Sequence, residues 1–237
     1  MCYVQGEKRM IYVMSDLHGC YEKYVKMLKK ISFSKEDILY ILGDVVDRGP
    51  YSMKILLDIA KRENVILLRG NHDLQAAILL LNLYRFEDRK CPKELIEAYK
   101  GWLEDGGKTT LEEFLMLSEK EREKVLSVLR KSQISKEIKV NGKKYLLAHT
   151  VPEVDFICDY EGWTEEDYTI GEPDYEEVYF DDMQVVTGHT PTEYIDCNFA
   201  GKIWMGNHHI AIDCGAVFGY ALGCLCLDTM EEFYEES

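Results

Sequence analysis

Short apolar runs alternate with helical patterns through the first third of the chain. Residues 10–15, 38–42 and 65–68 are apolar runs of the length typical of buried strands. Between them, apolar residues recur at helical spacing over residues 20–31 and 53–59. This β-α-β-α-β order predicts neighbouring parallel strands joined by right-handed crossovers.

The rest of the chain predicts a helical insertion and further strands. Residues 84–135 have helical, polar patterns, and we expect them to form a cap over the sheet edge. Asn141-Gly142 lies between two short runs, as in a tight β-hairpin. The acidic tail 231–237 is expected to be a frayed end. Strands of a second sheet are expected around residues 185–186, 203–205, 210–212 and 222–227.

Length and composition fit one large domain or two small ones. We expect one domain, residues 1–237 with the cap at about 84–135 as an insertion, because polar blocks from Asp16 to His189 must converge. The chain has 237 residues, 46% of them hydrophobic, which is enough for a substantial core. No apolar run approaches the ~20 residues of a membrane span, and no signal-peptide pattern is visible. Eight cysteines without a C-x-x-C pair predict reduced thiols, and therefore a cytoplasmic location.

The charge of the chain restricts its partners. A formal net charge of -15 argues against a nucleic-acid partner, because nucleic acid requires a basic surface. Residues 153–182 contain thirteen Asp or Glu and no Lys or Arg. This segment is interpreted either as a solvated surface loop or as an acidic rim that selects basic substrates. A phosphate-binding site here must obtain positive charge from metals and a few arginines.

Polar side chains follow the apolar runs where each run ends. The blocks are Ser-Asp-Leu-His-Gly at 15–19, Gly-Asp-Val-Val-Asp-Arg-Gly at 43–49, Arg-Gly-Asn-His-Asp at 69–73, His149-Thr150 and Gly188-His189-Thr190. Sites in such sheets form outside the carboxyl ends of the strands, so we expect the blocks to meet. Imidazole and carboxylate groups bind divalent metals. The sequence therefore predicts metal-assisted hydrolysis, with phosphate esters as the expected substrates.

In the residue types and order of these blocks, the chain resembles the phosphoprotein phosphatase branch of the calcineurin-like metallophosphoesterases, especially its compact bacterial and phage members. The similarity extends from Asp16 through Gly188-His189-Thr190-Pro191 to residues 212–218. It implies an α/β fold, namely a two-sheet β-sandwich flanked by helices with a helical cap insertion. It also implies two divalent metal ions, with manganese favoured over iron or zinc.

The resemblance implies roles for individual residues. His72 is expected to be the general acid, Asp47 to orient and charge its imidazole, and Arg48 to grip the phosphate. Arg69 and Asn71 are further expected to bind or brace the substrate phosphate. Asp44 is expected to bridge the two metals. The full set of expected metal ligands is Asp16, His18, Asp44, Asn71, His149 and His189.

One feature departs from the family pattern. The family usually has a second phosphate-binding arginine between the fourth and fifth blocks, but no arginine follows Arg130 in this chain. Lys202, Lys143 or an arginine of the cap are the candidates to replace it.

These patterns lead to an expected function and two alternatives. We expect a metal-dependent phosphomonoesterase that hydrolyses phosphoserine or phosphothreonine in proteins, with phosphotyrosine as a further substrate, by direct attack of a hydroxide held between the metals. A phosphoprotein or phosphopeptide is the expected partner, without nucleic acid or membrane. The close alternative is a symmetrical diadenosine tetraphosphate hydrolase, which the acidic segment 153–182 disfavours by repulsion of a tetra-anion. A non-catalytic phosphate-sensing scaffold is the third hypothesis, and the intact ligand set argues against it.

Overall fold

The computed structural model describes residues 9–85, 92–153 and 162–236. Its strands are β1 Ile11–Met14, β2 Ile38–Ile41, β3 Val65–Leu67, β4 Ser135–Val140, β5 Lys143–Ala148, β6 Met183–Thr187, β7 Trp204–Gly206, β8 His209–Ala211, β9 Leu222–Cys226 and β10 Glu231–Glu235. Its α-helices are α1 Tyr21–Lys30, α2 Ser52–Ile59, α3 Asn71–Arg85, α4 Lys93–Trp102, α5 Lys108–Met116, α6 Glu119–Lys131, α7 Glu165–Ile170 and α8 Thr192–Ile195. A π-helical turn, Leu103–Gly107, connects α4 to α5, and 3-10 turns lie at Cys197–Phe199 and Ala216–Phe218.

The first sheet contains the predicted parallel unit. Its strand order is β10-β9-β1-β2-β3, with β1 parallel to β2 and β2 parallel to β3. The prediction that residues 222–227 belong to the second sheet is wrong, because β9 pairs antiparallel with β1. Its five residues are all buried, and a strand buried on both faces has no alternation that would assign it to one sheet.

The tail also differs from its prediction. Residues 231–235 form β10, an edge strand paired antiparallel with β9, and are not frayed. Phe233 packs edge-on against Tyr12, and Lys30 forms an ion pair with Glu235 at 2.8 Å. The acidic composition of this segment predicts a solvated end, but backbone pairing and one aromatic contact place it in the sheet.

The second sheet has the strand order β4-β5-β6-β8-β7. The hairpin β4–β5 turns at Asn141 and Gly142, both with positive φ (49° and 89°), as the sequence predicts for a two-residue loop. Strands β5, β6 and β8 are parallel to one another, so their carboxyl ends lie at one edge.

The two sheets pack face to face, and helices cover the outer face of each sheet. Val13 and Leu225 of the first sheet share a buried cluster with Leu147, Val186 and Ile210 of the second. The adjacent residues of β1 point the other way, into a cluster with helices α1 to α3 and the cap helices α4 to α6. Helix α7 contributes to a smaller cluster against β5 and β6. The predicted two-sheet α/β fold is therefore confirmed.

The insertion after α3 is helical, as expected. Helices α4, α5 and α6 fall within the predicted cap, of which residues 86–91 lie outside the described part of the chain. The chain rejoins the first sheet through a bridge between Leu68 and Gln133. That all of residues 1–237 form one domain stays a prediction. Within the described ranges, no helix is both long and apolar enough to cross a membrane.

Candidate metal centre

Five of the six predicted metal ligands directly follow strands, and the sixth, Asn71, opens helix α3. Asp16 and His18 follow β1, and Asp44 follows β2, whereas His149 and His189 follow strands of the second sheet. Oδ2 of Asp44 lies 3.6 Å from Nε2 of His18 and 3.5 Å from Nε2 of His149. The carboxyl ends of both sheets therefore supply one cluster, with Asp44 between the two halves.

Backbone hydrogen bonds fix the tautomers of two imidazoles. Nδ1 of His18 lies 2.7 Å from the carbonyl of Val46, and Nδ1 of His149 lies 2.7 Å from the carbonyl of Leu42. A carbonyl accepts only, so both Nδ1 atoms must carry the proton. Both Nε2 atoms then present lone pairs towards Asp44. Metal-binding histidines typically donate the proton of their other ring nitrogen to a carbonyl in this way.

Two acceptor atoms meet at the far side of Asp44. Nε2 of His149 lies 3.0 Å from Oδ1 of Asn71 and 3.0 Å from Nδ1 of His189. With the proton of His149 on Nδ1, its Nε2 and the amide oxygen are both acceptors and repel each other. A divalent cation bound between them would turn this repulsion into coordination. The described residues contain two groups whose donor atoms lie within 4.8 Å of one another inside each group. The first is His18, Asp44 and His72, and the second is Asp44, His149 and His189.

The carboxylates give a second indication of bound cations. Asp16, Asp44 and Asp213 are each less than 5% exposed. Burial, together with Asp213 and Asp44, raises the pKa of Asp16 well above its usual range, and burial raises the pKa of Asp213 to about 7. Like charges this close in a low dielectric are costly unless cations neutralise them. The donor set therefore fits divalent metal ions.

The protonation states of His18, His189 and Asp44 also suit metal binding. Burial lowers the pKa of His18 to about 3 and that of His189 to about 4, so both imidazoles are neutral at physiological pH. Burial alone would raise the pKa of Asp44, but the surrounding histidines outweigh it and lower the pKa to about 2. Neutral imidazole and ionised carboxylate are the forms that bind metals.

His72 faces the cluster from the first turn of α3. Its Nδ1 lies 2.8 Å from Oδ2 of Asp47, and both side chains are at most 1% exposed. Burial lowers the pKa of His72, but the hydrogen bond to Asp47 and the charge of Asp44 raise it to a net value above the usual one. A buried histidine whose pKa is raised by a carboxylate partner can serve as a general acid.

Arg48 contacts both a predicted metal ligand, His18, and the predicted general acid, His72. Its Nη1 lies 2.8 Å from Nε2 of His18, and its Nη2 lies 3.0 Å from Nε2 of His72. Asp105, on the π-helical turn, has carboxylate oxygens 3.7 Å from Nη2 of Arg48 and 3.7 Å from Nε2 of His72. The guanidinium therefore lies between two histidines of the predicted site, with a cap carboxylate beside it.

The described contacts of Arg69 are with residues outside this cluster. Its guanidinium donates to the hydroxyl of Ser132 at 2.9 Å, to the carbonyl of Ser132 at 3.0 Å and to the carboxylate of Glu165. These contacts join the end of β3 to the ends of α6 and α7. The predicted bracing role of Arg69 and a contact with substrate both stay predictions.

The candidates for the missing arginine are placed differently. Lys143 begins β5, whereas His149 follows its end, so about six residues at roughly 3.3 Å each separate Lys143 from the site. Lys202 is exposed and shares a surface cleft with Gly219 and Tyr220 of the loop that follows β8. Lys202 therefore remains the better placed of the two.

Several predicted site residues have left-handed backbones, which side chains other than glycine rarely adopt. Hydrogen bonds between the loops hold this conformation: the amide of Asp16 donates to the carbonyl of Gly43, and that of His18 to the carbonyl of Asp44. Strain of this kind persists only where the surroundings impose it, and it concentrates at functional sites. The residues are Asp16 (φ 52°), His18 (37°), Asp44 (52°), Asp47 (70°), Arg48 (65°) and His189 (67°).

Two glycines allow the loops to approach this closely. A Cβ atom on Gly70 would lie 2.0 Å from Oδ1 of Asp44, and one on Gly188 would lie 2.2 Å from Oδ2 of Asp16. The glycines of the third and fifth blocks are therefore packing requirements of the carboxylates.

Sequence reasoning assigned no role to several residues that support the site. Asp73 accepts hydrogen bonds from the amides of Asp44 (2.8 Å) and Val45 (3.1 Å), and so holds the second loop. Trp102, fully buried in the cap, donates from Nε1 to Oδ2 of Asp47 at 2.8 Å. Asp73 lies in the third block, where its position beside His72 is a usable signal. Trp102 is distant in sequence, and no local pattern connects it with Asp47.

Comparison with known proteins identifies the family. Residues 10–193 match the family model described as calcineurin-like phosphoesterase. The chain belongs to the calcineurin-like phosphoesterase family. It is therefore a member of a family of metal-dependent hydrolases, and the His/Asp cluster agrees with divalent metal binding, whereas the identity of the metals is not shown.

The curated relatives share a different activity from the one expected. A symmetrical bis(5'-nucleosyl)-tetraphosphatase of Wigglesworthia glossinidia brevipalpis is 35% identical over 89 residues, covering 37% of this chain and 33% of that protein. Its counterpart in Buchnera aphidicola subsp. Schizaphis graminum is 37% identical over 130 residues, covering 53% of this chain and 39% of that protein. The aligned part of this chain thus spans little more than a third of these relatives.

Solved structures support the fold alone. A candidate diadenosine tetraphosphatase aligns with a TM-score of 0.65 at 17% identity, covering 97% of this chain and 94% of that chain. A protein serine/threonine phosphatase from Saccharomyces cerevisiae aligns with a TM-score of 0.55 at 13% identity, covering 95% and 74%.

These relatives correct two expectations. A phosphoprotein phosphatase activity and a phosphoprotein partner are wrong, because the curated relatives are named as symmetrical tetraphosphatases that act on dinucleotides. The repulsion argument from the acidic segment 153–182 carries little weight for a physical reason: surface charges are screened over about 10 Å, so they act weakly on a phosphate at the candidate metal centre. Membership of the phosphoprotein phosphatase branch is likewise not supported.

The close packing of Gly70 against Asp44 can be tested directly. Gly70→Ala should lower Mn²⁺ affinity by roughly 10- to 100-fold, since displaced support of a ligand typically costs that much. Isothermal titration with Mn²⁺ measures this, with circular dichroism to verify folding. Gly101→Ala in α4 is the matched control, because its Cβ would meet no atom within 4 Å. Equal Mn²⁺ affinity in the two variants would contradict the packing argument.

Proposed function

We propose that this protein is a metal-dependent symmetrical dinucleoside tetraphosphatase, which cleaves diadenosine tetraphosphate into two ADP molecules. The observation that carries the proposal is the 37% identity over 130 residues with a relative of that name. A cluster of unprotonated donors beside a buried histidine and an arginine supports it, because that chemistry suits attack on a phosphoric anhydride. Because a dinucleotide is small enough to bind within the site, a hydrolase of dinucleotides would need no basic surface outside it.

The proposal assigns the metal-binding role to Asp16, His18, Asp44, Asn71, His149 and His189, among which Asp44 lies between His18 and His149. When bound, two divalent cations, with manganese favoured, would lower the pKa of a water molecule and polarise the phosphoryl oxygens. The convergence of lone pairs from His149 and Asn71, 3.0 Å apart, supports this assignment.

The remaining residues bind the substrate and move a proton. Arg48 donates to the phosphoryl oxygens through its planar fork, in place of its present contacts with His18 and His72. A water molecule loses one proton to solvent, and its oxygen forms a bond to phosphorus on one side of the central P–O–P bridge. The bond from that phosphorus to the bridging oxygen breaks, and His72 protonates the leaving ADP oxygen. Asp47 stabilises the charged form of His72 before the transfer.

The products of diadenosine tetraphosphate test the proposed activity. With Mn²⁺ present, we expect ADP as the only nucleotide product, because attack beside the central bridge divides the substrate equally. In ¹⁸O-labelled water, one of the two ADP molecules from each turnover should carry the label. Ion-exchange chromatography and mass spectrometry measure both. Asp44→Asn protein purified in parallel is the control for contaminating phosphatases. ATP and AMP in equal amounts, or no turnover, would overturn the proposal.

The role of His72 requires a separate test, because His72 is also close enough to Asp44 to be a metal ligand. His72→Asn should lower kcat by roughly 10²- to 10⁴-fold, the usual contribution of a general acid. Its Mn²⁺ stoichiometry, measured by elemental analysis after gel filtration, should equal that of the wild type. Loss of one Mn²⁺ ion per chain would show that His72 is a ligand and would refute its assignment as the acid.

A further inference from the structure

Phe218 presents an aromatic ring beside the candidate metal centre. The side chain is 54% exposed and belongs to the 3-10 turn Ala216–Phe218, which follows β8 and Asp213. A single exposed phenylalanine is ordinary on a protein surface. This ring differs because the guanidinium carbon of Arg48 lies 5.5 Å from its centroid. One side chain therefore separates the ring from the atoms around which the phosphates are expected to bind.

The loop that carries this ring is held in one conformation. Gly215 and Gly219, with φ of 75° and 97°, flank the turn, and the amides of Phe218 and Tyr220 both donate to the carbonyl of Gly215. Nζ of Lys23, on α1, donates to the carbonyl of Ala216 at 3.0 Å and to that of Tyr220. Because the loop backbone is already held by hydrogen bonds, a ligand that stacks on the ring has less loop to order.

We propose that Phe218 is a stacking platform for one nucleobase of the substrate, next to the phosphate grip of Arg48. This inference rests on the proposed function and names a base-binding residue for it. A nucleobase is the fitting occupant because its π-face stacks on an aromatic ring, and this ring lies next to the guanidinium that would hold the phosphates. Arg48 would then hold phosphate on one side while the ring holds the base.

Substitutions at Phe218 separate base binding from phosphate binding. Phe218→Leu keeps an apolar side chain but removes the π-face, and it should raise KM for diadenosine tetraphosphate by roughly 5- to 150-fold. KM for inorganic tetraphosphate, which has no base, should stay unchanged. Phe218→Trp should retain the wild-type KM for the dinucleotide. Met116→Ala, at an 86% exposed position on α5, is the control for loss of exposed apolar surface.

A binding measurement keeps this inference distinct from the proposed activity. Mn²⁺-loaded wild type should bind ADP more tightly than inorganic diphosphate in isothermal titration, and Phe218→Leu should lose that difference. If the wild type does not cleave the dinucleotide, the proposed function fails, and this measurement still decides the role of Phe218. Equal effects of Phe218→Leu on ligands with and without a base, or no effect, would overturn the inference.

Discussion

The mutual approach of unprotonated donor atoms around Asp44 is the constraint on which the rest of the site depends. Backbone carbonyls fix the protons of His18 and His149 on Nδ1, so the lone pairs on both Nε2 atoms are directed inwards. Asp44 lies between them with its pKa lowered to about 2, since the imidazoles outweigh its burial. Nε2 of His149 and Oδ1 of Asn71, 3.0 Å apart, repel each other without a cation, and with cations the cluster becomes a ligand set. The fold therefore stores unfavourable electrostatics that metal binding would release.

The loops that carry these ligands also contain backbone strain. Left-handed backbones at Asp16, His18 and Asp44 each cost on the order of 1–3 kcal/mol. These conformations persist because the strands of the two sheets position the loops. Gly70 and Gly188, which have no side chains, leave room for the carboxylates of Asp44 and Asp16. The cap contributes from the other side, where Trp102 shares Oδ2 of Asp47 with His72. Core packing, strained loops and cap thus act together on one carboxylate–histidine pair.

The sequence predicts most of the fold and the convergence of the ligands, because both follow from local patterns. Strands ending in polar blocks must bring those blocks to one edge, and parallel pairing of β1 to β3 does so. Two assignments fail where the pattern is not local: β9 is apolar on both faces, and the acidic β10 is ordered by its partner strand. The activity is mistaken for a related reason. The metal-ligand blocks suit hydrolysis of either kind of phosphate substrate, and the names of the relatives, rather than any pattern in the blocks, favour the dinucleotide.

Anomalous X-ray scattering from crystals grown with Mn²⁺ tests the central claim most directly. The account predicts two anomalous peaks per chain, both in contact with the carboxylate of Asp44, one beside His18 and the other beside Asn71 and His149. No peak at this edge of the sheets, or peaks that leave Asp44 uncoordinated, would contradict it.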